Sequence, residues 1–391
     1  MKQTIGVFFG SRSAEHDVSI VTALGAVIKP LEALGEYRVV PVYIAKDGAW
    51  YSDPRLADIS LYQTDALDDV LKNLKPVLLD FSDGLTIIKP GVRAKRTKID
   101  IAFPATHGTF GEDGALMGVF EMAGVPYVGC DQASSAVAMN KVTSKLIAEA
   151  HGIKTPRMYF FSTNELQGEP ETWAEQITKN SSFTGAKLPY FVKPAHLGSS
   201  IGITRVVEFS ELGQAIEVAA HYDDLVLVEE AVPNLIEVTV PVIGNDQPRA
   251  ALVERPLTVS DEFFDFDTKY IGQGKKTGSK TGEAGAQGYS ELPAKLSKSL
   301  YDDCESTALR VYRALGCSGI ARVDLLIDSK SKVVYFNEIN PMPGSLYMHN
   351  WSRAGVAPAV LVGELVKLAL DRHAQRASLT RTFETNFLKQ F

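Results

Sequence analysis

The chain of 391 residues has only three cysteines, Cys130, Cys304 and Cys317, widely spaced and odd in number. That excludes a disulfide framework and paired Cys/His zinc spacings, and it suits reduced structural thiols in a cytoplasmic protein. Positive charge is also short, with 40 Lys and Arg against 47 Asp and Glu and a net charge of −7. Such a surface does not attract nucleic acid or anionic lipid by bulk electrostatics, so neither is expected as a partner. No apolar run approaches the ~20 residues that a membrane-spanning helix needs. The N-terminal stretch Met1–Gly10 reads as a first β-strand and lacks the small-residue cleavage site of a secretory leader. The phosphate-loop pattern Gly-x-x-x-x-Gly-Lys-Ser/Thr is absent. Any nucleotide must be held in another way.

What is present is ordinary for a globular chain, at 45% hydrophobic and 22% charged residues, and long enough for two or three domains. The most informative stretch is a hairpin, Gly319–Asp328 and Tyr335–Gly344, folded about Ser331. That register sets Asp324 opposite Glu338 and Arg322 opposite Asn340. Side chains alternate along a strand, so these four share one face while Ala321, Val323, Leu325, Ile327 and Ile339 take the other. Two carboxylates and an amide oxygen are hard ligands that suit Mg²⁺ when substrate phosphates complete the shell. A solvated hairpin with a salt bridge is the plainer alternative.

Elsewhere, strands and helices alternate from Thr4 to Gly129, which predicts an N-terminal doubly wound α/β domain. Glu15 follows the first strand, behind Ser13 as an expected N-cap, and is either a ligand or a favourable charge in a first helical turn. His107 opens the glycine loop His107–Gly114 ahead of a helix at Ala115–Ala123, where it could donate to an anion or sit satisfied in a core. A hairpin is expected over 77–88 and a short strand over Val125–Gly129. Lys141 lies early in a helix predicted from Met139 to Gly152. Lys193 interrupts an apolar strand and must find water, a carboxylate or a phosphate. The loop Ala195–Gly202 and a return strand follow, a unit able to wrap a triphosphate. Gly198–Gly202 also matches the nucleophile-elbow pattern of serine hydrolases at Ser200, but that elbow needs a following helix, and Ile203–Val207 is strand-like. Glu229, Glu230 and Val232 end a buried strand whose backbone could meet a purine edge, and Glu237 could take ribose hydroxyls. Ordinary solvated charge explains each glutamate equally. Ala251–Glu254 reads as a strand. Lys269 and Tyr270 stand at the root of a long glycine-rich loop, 271–288, which suggests a lid. A helix is expected over Leu296–Gly316 and another over Ala357–His373.

Seven segments in this order resemble the ATP-grasp ligases, and within them the D-alanine–D-alanine ligases. They are Gly10–Ser19, His107–Gly114, Met139–Lys145, Val192–Pro194 with Gly198–Gly202, Lys269–Tyr270, Ala321–Asp324 and Asn337–Asn340. The resemblance implies an α/β fold with α+β elements in a three-domain ATP-grasp architecture. Its expected parts are an N-terminal substrate domain (1–132), a central domain (133–232) and a C-terminal catalytic domain (233–391) bearing the lid. It implies that Lys141, Lys193, Ser199 and Ser200 hold ATP phosphates and that Glu229, Glu230, Val232 and Glu237 line the adenosine pocket. It implies that Asp324, Glu338 and Asn340 hold two Mg²⁺, for which Mn²⁺ could substitute. Arg322 and the Gly344 amide would face the tetrahedral intermediate. Glu15, Ser199 and Tyr270 would place the first D-alanine, with His107 near its carboxyl and Lys269 beside the lid. After Gly344 the chain departs from the family, and Ser345 is the candidate for a serine that binds the second substrate there. The implied product is D-alanyl-D-alanine for peptidoglycan precursors, made by a cytoplasmic homodimer. A different second substrate, such as D-serine or D-lactate, is the alternative.

Overall fold

The computed structural model describes residues 2–166, 168, 170–180, 183–257, 290–380, 382 and 385–390. Lys269, Tyr270 and the 271–288 loop fall outside the described residues.

In the N-terminal region, β1 (Thr4–Gly10) pairs in parallel with β2 (Arg38–Ile44), and β3 (Trp50–Tyr51) adds an antiparallel edge. β4 (Leu78–Asp80), β5 (Leu85–Lys89) and β6 (Lys95–Ile99) form a separate antiparallel sheet, so the hairpin expected over 77–88 gains a third strand. β7 (Ile101–Pro104) returns to the first sheet, giving the order β3-β2-β1-β7. Val125–Gly129 does not form the strand expected of it; a single bridge, Ala102 to Tyr127, is its sheet contact.

The crossover from β1 to β2 is a helical rod in three parts, α-helix His16–Val21, π-helix Thr22–Ile28 and α-helix Lys29–Leu34. It begins later than the sequence suggests. Glu15 occupies the N-cap, and Ser13 instead accepts the Glu15 amide through Oγ, at 3.1 Å. The π segment widens the rod at Thr22, a distortion common where a helix serves a site.

The central sheet, β8 (Met158–Ser162), β9 (Tyr190–Pro194), β10 (Thr204–Val206) and β11 (Leu225–Glu230), is antiparallel in the order β10-β9-β11-β8. Helices Pro170–Lys179 and Leu212–Tyr222 supply Ala174, Ile177, Ile216 and Ala219 to its core. The helix expected from Met139 starts at Lys141. Asn140 breaks it from a preceding helix, Gln132–Met139, and caps it by accepting the Thr143 amide at 2.8 Å.

The last sheet runs β13 (Arg249–Ala250), β12 (Leu235–Gly244), β16 (Gly319–Asp328), β17 (Val333–Asn340), with a small ribbon of β14 (Arg255–Pro256) and β15 (Ser290–Glu291) beside it. The expected strand at Ala251–Glu254 is displaced to its two flanks, with Glu254 itself bridged to Thr239. On β16, Ala321, Val323, Leu325 and Ile327 are fully buried against helix Lys298–Ala314. Each such side chain is worth roughly 1–3 kcal/mol of burial. A slip of one residue would expose all four, so the core face fixes which face is left for chemistry. Asp324 meets Glu338 and Arg322 meets Asn340, as the fold about Ser331 requires, and a bulge between Asp324 and Leu325 then shifts the remaining pairs by one residue. Helix Pro358–Ala377 packs Leu361, Val362, Leu365 and Val366 into one core with β1 and β7, joining the first and last regions.

Candidate active site

The face of β16 and β17 left free of the core carries Arg322, Asp324, Glu338 and Asn340, each partly buried. Arg322 grips Asp324 with two charge-assisted bonds, Nε to Oδ1 at 2.7 Å and Nη2 to Oδ2 at 2.6 Å. Asn340 Nδ2 donates to Asp324 Oδ2 at 3.2 Å, and Lys141 Nζ lies 3.2 Å from Glu338 Oε2. The residue types fit a hard divalent cation: two carboxylates and an amide share one strand face, and Arg322 and Lys141 pair with the carboxylates. Among the described residues, the one tight group of three His/Cys/Asp/Glu ligand atoms lies elsewhere, at His196, Asp223 and Asp224. Two of those three are exposed.

Lys141 also donates to the Leu197 carbonyl at 2.6 Å, so the lysine ties the carboxylate face to the 195–202 loop. Lys193 and Lys145 both pair with Glu229, which is buried with them; the Lys145 contact is 2.5 Å. Burial alone would raise the Glu229 pKa, but the two lysines outweigh it and hold the carboxyl at about 2. Burial moves the Lys145 pKa down, partly offset by Glu229. Glu229 thus anchors lysines, although it also borders a small cleft with Lys193, Glu230, Val232, Glu237 and Leu326. The cleft lies between the central and last sheets.

Ser199 and Ser200 take left-handed backbone angles, φ +52° and +60°, uncommon for residues with a Cβ. The turn lifts the Ser199 hydroxyl onto Glu15 Oε1, at short range. The following segment is the strand β10, not a helix, which removes the geometry a hydrolase elbow at Ser200 would require.

Around Glu15 the packing is tight. A Cβ on Gly108, whose φ is +67°, would lie 2.4 Å from Ser13 Oγ and 2.8 Å from Glu15 Oε2, so only glycine fits. His107 is buried and its Nε2 lies 2.8 Å from Thr22 Oγ1. Burial, aided by Arg322, lowers its pKa to about 4 against a backbone hydrogen bond at Met342, so the ring is neutral at pH 7. Thr22 Oγ1 in turn accepts the Ser345 amide at 2.8 Å. The Thr22 hydroxyl proton is then available to His107 Nε2. Gly344 stands at the start of this turn, with a Cβ built there 3.9 Å from Val18. Ser345 joins the site through its backbone; its side chain is exposed.

Several site residues are silent in the sequence. Glu112 is buried beneath Glu15, accepts the amides of Gly108 (2.9 Å) and Met342 (3.3 Å), and has its pKa raised well above the usual range by burial and by the Glu15 charge. A glutamate inside a glycine loop was the available signal for it. Thr22 sits mid-helix and gives none. Tyr347 has its hydroxyl 2.9 Å from Thr239 Oγ1 and its ring 5.3 Å from the Arg322 guanidinium carbon. The structure therefore brings together Glu15, His107, Lys141, Lys193, Ser199, Arg322, Asp324, Glu338, Asn340 and Gly344, with Glu229, Glu230, Val232 and Glu237 along the adjoining cleft.

Family models described as D-ala D-ala ligase N-terminus and D-ala D-ala ligase C-terminus match residues 4–130 and 147–367. A D-alanine–D-alanine ligase of Acetivibrio thermocellus is 34% identical over 95% of this chain and 97% of its own. One of Chlorobium phaeovibrioides is 37% identical, covering 95% and 98%. Among solved structures, the D-alanine-D-alanine ligase from Coxiella burnetii matches with a TM-score of 0.77 at 27% identity, covering 96% of each chain. The VanG D-Ala:D-Ser ligase from Enterococcus faecalis matches with 0.77 at 31%, covering 94% of this chain and 100% of that one. The chain belongs to the D-alanine–D-alanine ligase family, with the ATP-grasp fold.

Proposed function

We propose that the protein joins two D-alanines at the expense of ATP to give D-alanyl-D-alanine. The observation that carries this reading is the bond from Ser199, in the loop beside Lys141, to Glu15 at the N-cap of the first helix. A carboxylate suited to a substrate ammonium and a loop suited to phosphates are thereby set side by side. Lys141 and Lys193 hold the ATP phosphates, Ser199 and Ser200 close the loop over them, and Glu230, Val232 and Glu237 receive the adenosine. Glu15 fixes the first D-alanine so that its carboxylate meets the terminal phosphate. Phosphoryl transfer makes an acyl phosphate, the amine of the second D-alanine attacks its carbonyl carbon, and phosphate leaves as the amide forms. Arg322 and the Gly344 amide stabilise the developing oxyanion. Asp324, Glu338 and Asn340 would hold two Mg²⁺, or Mn²⁺, whose charge offsets that of the transferring phosphoryl group when bound. His107, neutral and fixed by Thr22, supports the substrate carboxyl end. Lys269 and Tyr270 belong to the same assignment by family position. Ser345 contributes its amide to the turn, and its hydroxyl carries no role in this scheme.

The same reading makes the enzyme a cytoplasmic homodimer that supplies peptidoglycan synthesis. No described helix is long and apolar enough to cross a membrane. Phosphate release measured with ATP and D-alanine, D-serine, D-lactate or L-amino acids tests the proposal. D-alanine-dependent release with a dipeptide product is expected, and its absence refutes the assignment. The departure of Ser345–Trp351 from the family pattern leaves a second reading, in which the acceptor is another D-amino acid or a hydroxy acid.

A further inference from the structure

The root of the 195–202 loop is laced to the start of the Lys141 helix. The Lys141 amide donates to the Ala195 carbonyl at 2.9 Å, Asn140 Nδ2 lies 2.9 Å from His196 Nε2, and Lys141 Nζ donates to the Leu197 carbonyl at 2.6 Å. On its other side His196 is held by Asp223. That carboxylate accepts the His196 amide through Oδ2 at 2.7 Å and pairs with ring Nδ1 through Oδ1 at 3.0 Å. Asp223 closes the helix Leu212–Tyr222, whose end also meets the far end of the loop: a Cβ on Gly202, φ +72°, would lie 2.8 Å from Tyr222 Cδ2. His196 therefore bridges the cap of the Lys141 helix and the end of the Leu212–Tyr222 helix.

These partners dictate how the ring is protonated. Asn140 Oδ1 is committed to the Thr143 amide at 2.8 Å, so Nδ2 faces the ring as a donor. His196 Nε2 must accept from it, and Nδ1 carries the proton given to Asp223. Both ring nitrogens are then used, and the group with Asp223 and Asp224 has no imidazole lone pair left for a metal. A second proton would set two donors against each other at Nε2. Asn140 answers it only by turning its amide over, which surrenders the helix cap.

We propose that His196 is a positioning residue for ATP: as a neutral imidazole it locks the phosphate loop to the cap of the Lys141 helix, and protonation releases the lock. The inference rests on the ligase reading for the place of the phosphates, and deepens it. The groups that face the ring set where the release falls. The bond to Asp223 raises its pKa above the usual 6.5 while burial opposes the rise; the charge of Asp224 adds to it, and Lys141 on the far side counters it. ATP affinity therefore weakens as pH is lowered from mildly alkaline values toward 6, and is fully present only where the ring is neutral.

Isothermal titration of the full chain with ATP and saturating Mg²⁺ at pH 8.5, 7 and 6 reads the lock without turnover. His196→Gln takes no proton, and its amide offers one donor and one acceptor in place of the two ring nitrogens. Wild-type affinity should fall from pH 8.5 to 6 by about five-fold more than that of His196→Gln, roughly the worth of one hydrogen bond. His196→Ala should bind about ten-fold more weakly at pH 8.5, and His196→Gln should recover most of that loss. Asn140→Asp keeps the helix cap and presents an acceptor to a protonated ring, so its acid loss should match that of His196→Gln. In steady state the His196→Ala defect should raise the ATP KM and leave kcat within about three-fold, whereas partial misfolding lowers kcat and spares KM. The same acid loss in wild type and His196→Gln, or an alanine variant that binds ATP as wild type does, overturns the lock. Wild-type binding of ATP with no D-alanine-dependent phosphate release overturns the ligase reading instead, and the titration still decides the lock.

Discussion

Replacing Glu229 by Gln should destabilise the central sheet far more than removing a surface charge would. The carboxylate is buried and is shared by Lys145 and Lys193. Its pKa falls from 4.5 to about 2 in the folded chain, which at 1.36 kcal/mol for each pH unit corresponds to about 3 kcal/mol. Breaking a buried pair by removing one partner costs a similar amount, roughly 3–5 kcal/mol, because the remaining charge is left uncompensated. Gln keeps the shape and loses the charge. The sign follows from the lowered pKa: the stabilisation is fully present above pH 4.5 and is lost as pH falls through about 2. The measurement is hydrogen exchange at the amides of Leu227 and Val228 in β11, which reports the opening free energy of this sheet without assuming that the whole chain unfolds at once. At pH 7 the variant should open about 3 kcal/mol more readily, and the gap from wild type should shrink as pH is lowered from 4.5 toward 2. A gap below about 0.5 kcal/mol at pH 7, or one that does not depend on acid, would refute the assignment of Glu229 as the counter-charge of both lysines.

Glu338→Gln should lower ATP-dependent phosphate release by about 100-fold or more, the several kcal/mol that a metal contributes at a transferring phosphoryl group. Isothermal titration with Mg²⁺ and a non-hydrolysable ATP analogue should show weaker metal binding, and unchanged titration would reject the metal face. Ser199→Ala removes a bond to an ionised partner, Glu15, and should raise the KM of the first D-alanine about 10- to 100-fold; an unaltered KM would show that the contact is incidental. Thr22→Val is nearly isosteric and strands both the Ser345 amide and His107 Nε2. Each buried loss costs roughly 1–3 kcal/mol, so thermal unfolding should begin several degrees lower. A silent Thr22→Val would show that this junction is not where the helix supports the site.

The sequence by itself determined the face that Arg322, Asp324, Glu338 and Asn340 share. Its determinant is local: two adjacent strands, a period of two, and a core face of Ala321, Val323, Leu325 and Ile327 that forbids a slip. The register of Asp324 against Glu338 follows, and only the bulge beyond Asp324 escapes it, since a one-residue excess leaves no mark on alternation. The glycine loops were legible for a related reason, because the close approach of backbone to Glu15 at Gly108 demands a residue with no Cβ. The π-helical segment at Thr22 and the buried Glu112 were not legible. Each acquires its role from groups far along the chain, His107, Met342 and Ser345, which meet only once the first and last regions share a core. Glu229 likewise reads as a strand-end charge until Lys145, more than eighty positions earlier, is folded beneath it. The turn after Gly344 belongs to the same class. Its residues prefer other backbone angles in isolation, and the contacts of Tyr347 with Thr239 and Arg322 select the left-handed angles of Ser345, Leu346 and Tyr347. Alternation and glycine punctuation are written along the chain; the partners of buried polar groups are decided by packing between distant segments.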